Sequence, residues 1–114
     1  MTVSELINKN EKTAFSFEVL PPVKGTGTSA LFSTIDALKE FGAEYINITT
    51  DRSEYVYVEQ PDGTYLRHFM RRRPGTVAVA SAIMQKYGIK VVPHVVVSGM
   101  TKEDIEYMLL DLQF

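Results

Sequence analysis

Three short apolar runs rich in β-branched residues punctuate the chain: "AFSFEVL" at 14–20, "EYINITT" at 44–50 and "IKVVPHVVV" at 89–97. Their near-continuous hydrophobicity, without strict alternation, predicts strands buried on both faces. Each is followed by helical periodicity. A first long helix is expected from Ser29 to Phe41, with Ser29 as its cap, Leu31, Ile35, Leu38 and Phe41 facing inward, and Gly42 as a left-handed terminator. A second covers 75–87 and stops at Gly88 by the same device. The third opens at "TKED", where Thr101 and Asp104 have the spacing of a capping box, and Ile105, Met108, Leu109 and Leu112 form its apolar stripe. Residues 3–10 predict one more short helix ahead of the first strand. Between the second strand and the next helix, Tyr55, Tyr57, Thr64, Tyr65 and Leu66 flank the turn signal "QPDG", the pattern of a β-hairpin.

Strands alternating with helices in this order imply a parallel sheet with right-handed crossovers. An open doubly wound sheet and a (β/α)8 barrel both fit. The segment after strand one, "PPVKGTGTS", lacks the glycine spacing of a dinucleotide fingerprint, which favours the barrel. Three β/α units cannot close a barrel that needs eight. The expectation is therefore an α/β fold in which residues 1–114 are the N-terminal three units of a single TIM-barrel domain, with an inserted β-hairpin and more chain beyond Phe114. Such a piece has unpaired outer strands and valines on an uncovered inner face, so it is expected to associate as a homo-oligomer.

Composition narrows the class. With 45% hydrophobic and 23% charged residues the chain is an ordinary globular one. A net charge of −2 gives no drive toward nucleic acid or an anionic membrane, and neither partner is expected. Zero cysteines exclude disulfides and thiolate metal sites, no metal is expected, and no run suits a secretory signal or a membrane span. The protein is read as cytoplasmic.

In a β/α barrel the reactive groups sit at the C-terminal ends of strands and in the loops that follow. Those positions hold Glu18 from strand one, Thr49, Thr50, Asp51 and Arg52 from strand two, and His94 from strand three. Each also has a structural reading: an acid paired with a neighbouring base, threonines suited to a strand, a surface ion pair of Asp51 with Arg52, a histidine bonded to backbone among valines. Their convergence on one rim weighs more than any one of them. The run Arg71–Arg73 precedes a helix N-terminus, where the macrodipole disfavours cations; it reads either as a solvated basic loop or as an attractor for an anion such as phosphate.

"FSFEVLPP" closely resembles the Phe-Glu-x-x-Pro-Pro signature on the first strand of bacterial methylenetetrahydrofolate reductases, flavin enzymes built on a (β/α)8 barrel. "YINITT", the helix after "RRRPGT" and the Pro-His of "VVPHVVV" continue that resemblance in the same order from residue 14 to 114. The resemblance implies a reductase that converts 5,10-methylenetetrahydrofolate to 5-methyltetrahydrofolate with FAD and NADH or NADPH, in one-carbon and methionine metabolism. Glu18 would be the catalytic acid that protonates folate N10 and helps open the imidazolidine ring. Thr49 would face nicotinamide or folate, His94 would line the flavin, and Thr50 and Arg52 fall where the family's second loop contacts the cofactor. Thr50 departs from the pattern, which places a tyrosine there. The family's Arg-Gly-Asp segment, which binds FAD, would lie beyond Phe114, so the chain alone is expected to be inactive. A different barrel enzyme and a non-catalytic interaction module remain alternatives. A carboxylic acid acts as a general acid when burial favours its protonated form, so an apolar strand carrying Glu18 reads as a strand aimed at a substrate.

Overall fold

The computed structural model describes residues 1–9, 12–50 and 54–114. Helix α1 (Val3–Lys9) leads into strand β1 (Ser16–Val19), helix α2 (Ser29–Lys39) and strand β2 (Tyr45–Ile48). A hairpin of β3 (Glu54–Glu59) and β4 (Tyr65–Met70) follows, then helix α3 (Thr76–Tyr87), strand β5 (Lys90–Pro93) and helix α4 (Lys102–Gln113). The order β1-β2-β5 forms a parallel three-stranded sheet, and the hairpin is a separate antiparallel pair.

Register divides the sheet into two unlike faces. Phe17, Ile46 and Val91 stand in one row and Val19, Ile48 and Pro93 in another, and both rows point to the same side because side chains alternate along a strand. On that side Val19, Ile46 and Ile48 join Leu31 and Ile35 of α2 and Val79, Ala80 and Ile83 of α3 in one core. Ile35, Ile46, Ile48 and Ile83 have no solvent exposure. Tyr87 closes the helix pair, its hydroxyl donating to the Phe32 carbonyl at 3.0 Å with the two rings edge to face. Both crossover helices thus cover one face, as right-handed connections running in one direction require. A three-stranded parallel sheet with its helices on one face is consistent with the start of a TIM-barrel-like fold.

The opposite face carries Ser16, Glu18, Tyr45, Asn47, Lys90 and Val92. The expectation of strands buried on both faces, with an inner face of valines, is corrected here: one face is packed, and the other is mostly polar with a single valine. The apolar letters of the runs come partly from residues outside the strands. In the third run the strand ends at Pro93, because the His94 amide makes the last ladder bond, to the Ile48 carbonyl at 2.8 Å, while the His94 carbonyl accepts from the Thr76 hydroxyl. Val95, Val96 and Val97 are exposed beyond it.

Helix ends follow local chemistry with two corrections. The first residue of α2 is Ser29 and its N-cap is Thr28, with no side-chain cap bond. The same helix stops at Lys39, so Phe41 swings out, 71% exposed, and its ring meets Phe17 edge to face. Gly42 then takes the left-handed turn at φ 70°. Helix α3 ends at left-handed Gly88, as expected. In α4 the Thr101–Asp104 capping box forms, yet Leu109 and Leu112 of the expected stripe are exposed. The hairpin turns on Gly63 at φ 83°, and every residue of β4 is exposed. A radius of gyration of 17.4 Å, against roughly 13 Å for a compact domain of this length, reflects elements extended from the core instead of wrapped round it.

Candidate functional site

Strand ends and the loops after them define one rim of the sheet, and backbone bonds fix its members. The Thr49 amide donates to the Val19 carbonyl at 3.0 Å, extending the β1–β2 ladder one residue past the strand. His94 is held from both sides: its amide bonds β2, and its carbonyl accepts at 2.8 Å from Thr76, a buried hydroxyl in the first turn of α3. The loop after β1 is tied to the arginine run twice. The Arg73 guanidinium donates to the carbonyl of fully buried Pro21, and the Lys24 amide donates to the Arg72 carbonyl at 2.7 Å.

A cleft of about 380 Å³ opens between this rim, α3 and α4. Half-buried Thr50 and His94 line it, together with Arg71–Arg73 and the first residues of α3. Gly75 caps that helix without a side-chain bond, beside a cleft lined by Arg71–Arg73 and also by Asp104 and Asp111. The volume suits part of a small-molecule ligand, and cations grouped at a helix N-terminus suit an anionic one. Asp104 also lines the cleft, its carboxyl held below the usual range chiefly by the Thr101 amide and then by the Thr101 hydroxyl.

The structure therefore brings Thr50 and His94 together and leaves two expected site residues apart from them. Glu18 is the third of four residues in β1, not the last, and is exposed on the polar face; neither it nor Thr49 lines the cleft. Arg52, with Asp51, lies outside the described residues. Asn47 was missed by sequence reasoning. It stands level with Glu18 across the β1–β2 ladder, and its amide donates to the Ser16 hydroxyl at 3.3 Å. Its signal was available as a lone amide between Ile46 and Ile48, where period-two alternation turns it away from the core. Thr76 and Arg73 were missed as positioning residues, since both act through carbonyls distant in sequence.

Among the described residues no cluster of histidine and carboxylate side chains could hold a metal ion, and no helix is long and apolar enough to cross a membrane. The sequence model of one family, described as Methylenetetrahydrofolate reductase, matches residues 2–113. Searches of curated proteins and of solved structures found no match.

Proposed function

The chain belongs to the methylenetetrahydrofolate reductase family, a family of folate-related reductases, and we propose that its three β/α units form the part of a TIM barrel that supplies the proton for reducing 5,10-methylenetetrahydrofolate to 5-methyltetrahydrofolate. The observation that carries this reading is the polar row on the helix-free face: Glu18 and Asn47, side by side in adjacent parallel strands, with Val92 completing the row. A barrel closed around these strands would turn that face inward. Covering it would enclose the Glu18 carboxyl with the substrate, where a general acid acting on folate N10 has to sit. The Asn47 amide beside it offers a donor or acceptor to the substrate's polar edge.

FAD fits the donor set of the rim: hydroxyl and imidazole at Thr50 and His94, cations at Arg71–Arg73, and the open amides of α3 for an anionic diphosphate. Thr50, Arg52 and His94 are proposed to hold it, and Thr49 to face the nicotinamide or the folate. When bound, FAD supplies the hydride chemistry, with NADH or NADPH as reductant. The chain's own residues position and polarise: Thr76 and β2 fix His94, while Arg73 and Lys24 fix the loop after β1.

The test separates the two half-reactions in the complete reductase. Rapid mixing with NADH or NADPH should bleach the flavin absorbance, and 5,10-methylenetetrahydrofolate should restore it. Failure of the folate to reoxidise a flavin that the nicotinamide reduces would remove the proposed substrate. The 114-residue chain alone, whose β1 and β5 each have an unpaired edge among the described residues, is expected to purify colourless. One flavin per chain would overturn that expectation.

A further inference from the structure

The hairpin of β3 and β4 turns one row of side chains to the same side: Tyr55, Tyr57 and Glu59 from one strand, Tyr65, Arg67 and Phe69 from the other. Several of them pack on one another. Tyr55 stands directly opposite Phe69 with the rings edge to face, their centroids 5.4 Å apart, and the Arg67 guanidinium lies 4.3 Å from the centre of the Tyr55 ring. Exposure along the row falls from 65% at Tyr65, near the turn, to 37% at Phe69, near the root. At the root Phe69 rests on Gly99, in the segment between β5 and α4. A Cβ placed on Gly99 would come within 3.0 Å of Cε2 of the Phe69 ring, whereas a Cβ on any other glycine of the chain would meet nothing within 4 Å. Gly99 also has φ 79°, so a side chain there is strained as well as obstructed.

That segment is a wall of the cleft: Val95, Val96, Ser98 and Met100 line it beside His94, and Phe69 lines it too. Its two ends are fixed, His94 by the Thr76 hydroxyl and the start of α4 by the Thr101–Asp104 box. Between them the chain forms neither helix nor strand, and the 3.0 Å bond from the Met100 amide to the Val97 carbonyl turns the backbone without fixing it to another element. The Phe69 ring supplies a hold from outside. We infer that Phe69 is a positioning residue for the cleft's ligand: by seating on Gly99 it sets where the Val95–Met100 wall stands relative to Thr50 and His94, and so how closely the cleft grips what enters it. That this ligand is FAD rests on the reading above; the seating of Phe69 does not.

Two measurements test it. In the 114-residue chain, Phe69→Leu, which removes the ring from Gly99, should speed exchange of the Met100 amide several-fold, and Tyr57→Leu, which removes a ring from the same face away from the cleft, should not. In the complete reductase, flavin affinity read by fluorescence should fall about tenfold in Phe69→Leu and by a similar factor in Gly99→Ala, a size usual for residues in contact. The double variant separates obstruction from strain. Combining the two substitutions should cost less than the product of the single losses, because the shorter side chain makes room for the new Cβ, whereas strain at φ 79° alone would count in full. Unchanged Met100 exchange in Phe69→Leu, unchanged flavin affinity, or losses that multiply in full would each overturn the positioning role. A complete reductase that holds no flavin overturns the FAD reading instead, and the hold of Phe69 on the wall is then decided by the Met100 exchange.

Discussion

Glu18 and Asn47 occupy the same row of the parallel sheet, on the face that the crossover helices leave uncovered. A carboxylate and a carboxamide in adjacent strands form a polar pair on a sheet whose other face is packed with isoleucine. The isoleucine face accounts for stability, and the polar pair contributes nothing evident to it. That division supports the proposal that Glu18 serves the chemistry.

In the complete reductase, Glu18→Gln should leave flavin reduction by the nicotinamide nearly intact and slow folate reduction by roughly 10²–10⁴-fold, the usual contribution of a general acid. The folate half-reaction alone requires a proton donor at N10. Rapid-mixing measurement of each half-reaction checks this; an equal loss in both would make the residue structural.

Thr76→Val should destabilise the chain by about 1 kcal/mol, because it removes the hydroxyl donor to the His94 carbonyl while keeping the volume of a buried position. Thr76→Ser should recover most of the loss. Urea unfolding midpoints of the two variants decide it: equal midpoints would mean that packing, and not the hydrogen bond, matters at this site.

Acid should fray α4 from its N-terminus. Asp104 titrates below its ordinary value of 3.8, first because the Thr101 amide donates to its carboxylate and second because of the Thr101 hydroxyl. A lowered folded-state value gives stability that is present above 3.8 and lost as pH falls through the lowered value. Amide exchange in the first turn of α4 should accelerate on acidification across that window. In Asp104→Asn the acceleration should vanish.

Self-association is expected of the isolated chain. Strands β1 and β5 each have one unpaired edge among the described residues, and Tyr107, Leu109 and Leu110 of α4 are all more than half exposed. Sedimentation at micromolar concentrations should show a species heavier than 12.8 kDa. A stable monomer would mean that these edges and this helix face tolerate water.

What the sequence determined by itself is what short-range chemistry decides. The three parallel strands, the Gly88 stop, the Thr101–Asp104 box and the turn at Gly63 each depend on residues within a few positions of one another, so all were legible from periodicity and turn chemistry. The motif around Glu18 was legible for the same reason, and it pointed to the family that the chain belongs to. The tertiary structure decided what register and crossover direction alone can decide. It ended the third strand at Pro93, because the partner of the His94 carbonyl is Thr76, eighteen residues away, and not a neighbouring strand. It set Asn47 beside Glu18, since alignment of two strands separated by a helix is a property of the packed sheet. And it parted Glu18 from the cleft of Thr50 and His94: successive residues of a strand face opposite ways, and a one-residue difference in where a strand ends changes which side a group serves.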